Sequence, residues 1–211
     1  MDIPSNHTDK ILEDFNKKQE FVRDALPVNW LTFSEELEQA AEVLWANSGS
    51  GQELRAEAEL DRISHYRVIP AHSRSYILLA GFALENILKG LIIAGNPTLI
   101  SSGELDGTLN SHNLLYLAKK LNNLKFSTDE ENVLRICQDA IPYWGRYPVP
   151  LKYQGLKPEE VVNQAFRDCF RALHYRLCKS LYEIVKDGWD SGVGAKTLQM
   201  RSRRYGDIID N

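Results

Sequence analysis

The segment RDCFRALH, residues 167–174, carries side chains that are suited to chemistry on a phosphate group. His174 can transfer protons near neutral pH, and the Arg167 guanidinium can hold a phosphate and the charge that develops on it. On a helix these residues lie two turns apart on nearly the same face, with Arg171 one turn from each. The pattern predicts a cationic stripe. The alternative is a solvated basic flank of a core helix, with His174 held by a neighbouring carboxylate.

A second candidate is Arg146, in the stretch YWGRYPVP at residues 143–150. Its guanidinium can bind phosphate through paired hydrogen bonds or stack on a base, with Tyr147 and the neighbouring aromatic residues as a stacking surface. Alternatively, the aromatic residues pack a corner between two helices, and Arg146 caps helix carbonyls or pairs with Glu85. Both interpretations stay open from the sequence.

Two further polar features lie on predicted helices. Glu85 and Lys89 are four residues apart within the apolar segment 76–95, so they can pair on one helix face. Because two mid-segment charges are costly in lipid, the segment is predicted to be the buried central helix of a soluble bundle, without membrane contact. His112 follows Ser111, a predicted helix cap, and either packs the loop or contacts a ligand.

The elements that would position these residues are read from apolar periodicity, which follows helical spacing along most of the chain. Helices are predicted over 10–25, 34–45, 52–68, 73–95, 112–124, 129–144 and 158–187. The predicted fold class is all-α, a helical bundle. Three parts are expected: an N-terminal arm with a peripheral helix (1–31), the bundle (32–187, core 73–187) and a flexible tail (188–211) with the basic cluster RSRRY.

The composition narrows the class of protein. The net charge of -4 excludes a basic nucleic-acid coat but permits a local basic face. The three cysteines, Cys137, Cys169 and Cys178, lack CxxC spacing, which indicates reduced thiols in a cytoplasmic protein. The N-terminus shows no signal-peptide pattern. No cluster has metal-ligand spacing, so neither a metal nor another cofactor is expected.

The order of ALENILKG, SHNLL and RYP resembles the landmarks of the HEPN superfamily, a group of bacterial and archaeal helical domains. The landmarks are Ala83-Leu84-Glu85 with Lys89, then His112-Asn113-Leu114, then Arg146-Tyr147-Pro148, and the resemblance covers residues 73–187. It implies a HEPN-like bundle that forms a homodimer and binds RNA, a nucleotide or a protein partner. A defence or toxin–antitoxin-like setting, with a cognate antitoxin or a nucleotidyltransferase-type partner, is implied as well.

Catalytic members of that superfamily are metal-independent endoribonucleases that carry an arginine, a polar residue and, four to six residues later, a histidine. Arg167, Asp168 and His174 match this pattern at its long end, with Asp168 where asparagine is usual. The resemblance therefore implies RNA cleavage by Arg167 and His174, with the RNA 2′-hydroxyl as nucleophile. Arg171, Arg146, Tyr147 and His112 are the predicted RNA- or nucleotide-binding residues. The alternative function is a non-catalytic dimeric interaction or nucleotide-binding module.

Overall fold

Six α-helices make up most of the computed structural model, which describes residues 5–48, 52–59, 62–70, 73–144, 152–155 and 162–207. In chain order they are α1 (Ser5–Asp24), α2 (Pro27–Ser48), α3 (Ser73–Gly95), α4 (Leu114–Lys119), α5 (Thr128–Asp139) and α6 (Gln164–Val185). The predicted all-α helical bundle is confirmed.

Helix α3 is the centre of the bundle, and α2, α4, α5 and α6 all pack against it. Its apolar side chains are spaced so that several faces of the helix are buried at once. Those below a tenth exposed include Tyr76, Ile77, Ala80, Ala83, Leu84, Ile87, Leu88 and Leu91. By length and composition α3 could cross a membrane, but 67% of its apolar window is buried, as in the core helix of a soluble protein.

Local signals explain where several helices begin. Helix α2 starts at Pro27, earlier than predicted, because proline lacks the N–H that a first helical turn leaves unpaired. Ser127 and Glu130 form a reciprocal capping box at the start of α5. Helix α6 is capped by Asn163, whose side chain accepts a hydrogen bond from the Phe166 N–H at 2.9 Å. The Asn163 cap fixes where α6 begins, and α6 carries the predicted catalytic pair.

The helix predicted over 52–68 is wrong, because the structure has an antiparallel hairpin of β1 (Gln52–Glu59) and β2 (Arg62–Pro70) there. The strands pair from Gln52 with Pro70 to Glu59 with Arg62. The sequence QELRAEAE alternates polar and apolar residues with a period of two, which is the pattern of a strand. Alanine and glutamate are good helix formers, and their propensity concealed that alternation.

The C-terminal segment also differs from the prediction of a flexible tail, because residues 188–207 pack onto the bundle. Strands β3 (Trp189–Asp190) and β4 (Lys196–Thr197) form a short antiparallel pair. The Trp189 Nε1–H donates to the Ala94 carbonyl at 3.1 Å, and Tyr205 is buried against the core. Gly188 adopts a left-handed φ of 105°, so glycine here supplies a turn.

Candidate functional site

The predicted catalytic residues lie in a polar seam between α2 and α6 that the C-terminal segment closes. We call this the α2–α6 seam. It consists of Ser34, Glu35, Glu38 and Glu42 from α2, Arg167, Arg171, His174 and Cys178 from α6, and Arg204 and Tyr205 from the C-terminal segment.

His174 lies inside the α2–α6 seam and is only 1% exposed. Its Nε2 is 2.9 Å from the Ser34 Oγ, while the Ser34 hydroxyl donates to the Ala83 carbonyl at 2.7 Å. Because the single hydroxyl hydrogen is used on Ala83, His174 must donate from Nε2–H, which assigns the tautomer. The alternative interpretation, in which a neighbouring carboxylate holds His174, is therefore wrong in its partner, because the Ser34 hydroxyl takes that place.

The protonation of His174 follows from its burial. Desolvation lowers its pKa to about 3, and the positive charge of Arg204 acts in the same direction. The Cys178 Sγ lies 3.4 Å from Nε2, so a thiol and a hydroxyl surround the imidazole on this side. A neutral, buried imidazole with such a low pKa is a poor proton acceptor near neutral pH. The structure thus places His174 where substrate and solvent do not reach it.

Arg167 points to α2 and binds Glu42. The distances to the Glu42 Oε2 are 3.1 Å from Nε and 2.5 Å from Nη2, and the guanidinium carbon lies 5.3 Å from the Trp45 ring centroid. Glu42 also accepts a hydrogen bond from the Tyr76 hydroxyl at 3.1 Å. Hydrogen bonding to Glu42 raises the pKa of Arg167. The guanidinium that was predicted to hold a phosphate is already bound to a carboxylate.

Arg171 and Arg204 complete the charge balance in the seam. The Arg171 Nε is 3.5 Å from the Glu42 Oε2 and 3.8 Å from the Glu38 Oε1. The Arg204 Nη2 is 3.2 Å from the Glu38 Oε2. An open groove of about 820 Å³ lies beside this network. The Arg204 Nε is also 3.5 Å from the Glu35 Oε1. Three arginines therefore face three glutamates, and the predicted cationic stripe has no excess positive charge.

The acidic residues of α2 are the part of the seam that the sequence prediction missed. Glu35, Glu38 and Glu42 stand at i, i+3 and i+7 on α2, so they share one helix face. The same spacing argument that predicted the basic stripe on α6 could have identified this acidic stripe. Only the pairing of α2 with α6 shows that the two stripes neutralise each other.

The C-terminal segment covers the seam at Cys178. The Tyr205 hydroxyl donates to Glu35, and the Tyr205 ring centroid is 4.7 Å from that of Tyr182. Tyr182 in turn donates to Asp207. Burial raises the pKa of the Cys178 thiol to about 12. The thiol is consequently an inert core group in this conformation.

A second polar site contains Glu85, Lys89 and His112, and we call it the Glu85 cluster. The Lys89 Nζ is 2.6 Å from the Glu85 Oε1, the i,i+4 pair that the spacing predicts. The His112 Nδ1 lies 2.9 Å from the Glu85 Oε2 and 3.1 Å from Oε1. Glu85 and Lys89 are buried, whereas the His112 side chain is 60% exposed. Two landmarks that are distant in sequence therefore meet at one site.

The geometry of the Glu85 cluster orients the imidazole. A carboxylate only accepts hydrogen bonds, so the His112 Nδ1 carries a hydrogen and donates it to Glu85. This leaves Nε2 as the ring nitrogen for a ligand. The backbone around the histidine is fixed because the Asn113 side chain accepts from the Tyr116 N–H at 2.8 Å and caps α4, a role predicted for Ser111. His112 is thus a positioned, accessible polar group.

Two of the predicted binding residues, Arg146 and Tyr147, lie outside the described residues. In the part of the chain that is described, no group of three or more His, Cys, Asp or Glu side chains is arranged to hold a metal ion. In comparisons with known proteins, no family model, curated protein or solved structure matches the chain.

Proposed function

We propose that this chain is a cytoplasmic, HEPN-like helical module that binds RNA or a nucleotide without cleaving it. The observation that carries the proposal is the contrast between two of its histidines, His174 and His112. His174 is sealed and neutral in the α2–α6 seam, whereas His112 is exposed and oriented by a buried carboxylate. Of the two functions that the landmarks imply, RNA cleavage and ligand binding, we therefore propose binding.

The Glu85 cluster suits a phosphate group for an electrostatic reason. Lys89 balances the charge of Glu85, so a protonated His112 gives the cluster one net positive charge close to solvent. In that state the Nε2–H can donate to a phosphate oxygen, and a charge-assisted hydrogen bond is stronger than a neutral one. The cluster therefore offers an oriented N–H donor to a phosphate oxygen at the surface of the protein.

The alternative function, endoribonuclease activity by Arg167 and His174, would require the seam to open. Opening would separate Arg167 from Glu42 and remove Ser34 from the His174 Nε2. Leaving partly buried carboxylates without their arginines is costly. Non-catalytic binding needs none of these changes. The toxin–antitoxin-like setting and its partners stay expectations from the resemblance.

Fluorescence anisotropy with labelled single-stranded RNA tests the proposal, and a thermal-shift screen covers nucleotides. We expect His112→Ala to weaken phosphate-ligand binding about tenfold, which corresponds to about 1.4 kcal/mol. Lys196→Ala is the matched control, because it removes an exposed positive group that pairs with Asp190 and is not part of the Glu85 cluster. Equal affinity of wild type and His112→Ala, or no binding by the wild type to any of these ligands, would contradict the proposal.

A further inference from the structure

Residues 202–207 of the C-terminal segment lie across one face of α6, and we call them the strap. The Tyr205 ring centroid is 4.7 Å from that of Tyr182 and 5.9 Å from that of Tyr175. Tyr175, Cys178 and Tyr182 stand at i, i+3 and i+7, so they share one face of α6. Burial raises the pKa of the Cys178 thiol, and a hydrogen bond from Tyr205 opposes that shift, so the two side chains are in contact. The strap therefore covers the face of α6 that carries Cys178.

The strap is attached to the two helices through side chains. The Tyr205 hydroxyl donates to Glu35, and the Arg204 Nη2 donates to the Glu38 Oε2 at 3.2 Å. On the other side, the Tyr175 hydroxyl donates to the Arg204 carbonyl at 3.4 Å. In the part of the chain that the structure describes, no backbone–backbone hydrogen bond joins the strap to another element. The strap is thus held by contacts that can be broken without disturbing a helix.

The backbone hydrogen bonds of the strap close within it. The N–H groups of Tyr205 and Asp207 donate to the Ser202 carbonyl at 3.3 and 3.2 Å, and the Gly206 N–H donates to the Arg203 carbonyl at 3.1 Å. Gly206 has a left-handed φ of 88°, which ends this turn. Because these bonds are internal, the strap can leave the helices as a unit without unpairing its own N–H groups.

Few buried groups hold the strap in place. Tyr205 is 6% exposed and is the one buried residue among the six described residues of the strap. Its departure also leaves the Arg167–Glu42 ion pair intact, because that pair joins α2 to α6 without the strap. Segments with few buried apolar contacts open locally at a lower free energy than the whole domain. Release of the strap is therefore a smaller change than separation of α2 from α6.

The chain is anchored immediately before the strap. The Met200 N–H donates to the Lys186 carbonyl at 2.8 Å, and the Arg201 Nη1 is 3.4 Å from the Asp187 Oδ1. These contacts tie the chain to the end of α6 as far as Arg201. A released strap would consequently stay tethered beside the face that it had covered.

We propose that the strap releases from α2 and α6 as a unit, hinged at Arg201, and thereby controls the access of solvent to the α2–α6 seam at Cys178. In the closed state Tyr205 covers the thiol. In the released state the thiol meets solvent while α2 and α6 stay together, and His174 lies 3.4 Å from that thiol. This inference goes beyond the proposed binding function and does not depend on it, because the Glu85 cluster contains no strap residue.

Labelling of the full chain with iodoacetamide in increasing urea tests the proposal, with Cys137 as the internal control. Cys137 is fully buried in the bundle core, so it reports unfolding of the whole domain. Peptide mass spectrometry assigns the label to each cysteine, and the rates in the unfolded chain correct for intrinsic reactivity.

We expect Cys178 to react at least about tenfold faster than Cys137 without urea, and its rate to depend less on urea, because local release exposes less surface than unfolding. Equal or slower labelling of Cys178 with the same urea dependence as Cys137 would overturn the proposal, since both thiols would then react only in the unfolded chain.

Substitutions separate release of the strap from unfolding of the domain. Tyr205→Ala should raise the labelling rate of Cys178 at least about tenfold, and Arg204→Gln should raise it less, because Arg204 is partly exposed. Ile87→Val, in the buried core of α3, is the control: it should raise the rate at Cys137 about fivefold and leave the rate at Cys178 unchanged. An equal rise at both cysteines in Ile87→Val, or no rise at Cys178 in Tyr205→Ala, would show that the strap does not control access.

Discussion

The α2–α6 seam and the Glu85 cluster are built from the same residue types and differ in which group faces solvent. Each combines a histidine with at least one other basic side chain and at least one carboxylate. In the seam, the histidine is inside and each of Arg167, Arg171 and Arg204 is bound to glutamates of α2. In the Glu85 cluster, the ion pair is inside and the histidine is outside. The difference shows that accessibility is decided by the residues on the opposing element.

The largest expected difference is in stability. Replacing His174 with alanine removes a buried ring and the donor to Ser34, so the free energy of unfolding should fall by about 2–4 kcal/mol. Replacing His112 with alanine should change stability by less than about 1 kcal/mol, because the exposed ring leaves the Glu85–Lys89 pair in place. Urea unfolding measures both. Comparable losses in the two variants would remove the distinction between the sites.

A second prediction uses pH. The pKa of His174 is about 3 in the folded chain against an ordinary value of 6.5, so the unfolded chain takes up its proton first as the pH falls. Stability should therefore decrease from about pH 6.5 downward, by up to about 1.4 kcal/mol per pH unit until the folded pKa is reached. His174→Gln keeps a side-chain donor for Ser34 and should lose this contribution.

The measurement is the difference in unfolding free energy between wild type and His174→Gln over this pH range. Taking the difference cancels carboxylates such as Asp106 and Asp190, whose lowered pKa values also make the fold less stable in acid. Parallel curves for the two proteins would mean that His174 is solvated in the folded chain.

Single ion pairs in the seam are expected to contribute less to the free energy of unfolding. A double-mutant cycle on Arg167 and Glu42 should give a coupling of about 1–2 kcal/mol, because both side chains are largely buried and the guanidinium contacts both carboxylate oxygens, Oε1 at 3.3 Å from Nε and Oε2 at 2.5 Å from Nη2. Arg171 and Glu38 should give less than about 1 kcal/mol, since Arg171 is half exposed and its contact is longer. Coupling that is larger for the second pair would contradict the geometry of the seam.

The sequence predicted the parts of the fold that depend on local signals. Helix α3 followed from its apolar periodicity, and its burial from the placement of Glu85 and Lys89. The hairpin was missed because alanine and glutamate favour helix in isolation, while pairing with β2 depends on residues farther along the chain. The packed C-terminal segment was missed because its anchors, Trp189 and Tyr205, are scattered among glycines and arginines.

For the candidate site, too, local sequence signals predicted only part of the structure. The spacing of Arg167 and His174 on one helix could be predicted from the sequence, since periodicity fixes it. The partners Ser34 and Glu42 lie more than a hundred residues earlier in the chain, and no local pattern connects them to α6. The meeting of Glu85 with His112 likewise depends on how α3 and the start of α4 pack.

The most direct test of the account is an RNA cleavage assay in the presence of EDTA with wild type, His174→Gln and His112→Ala, each first checked for helical content. We expect the wild type to bind RNA and leave it intact, and His112→Ala to weaken binding while His174→Gln does not. Cleavage by the wild type that is lost in His174→Gln and kept in His112→Ala would show that the α2–α6 seam opens and acts as the catalytic site.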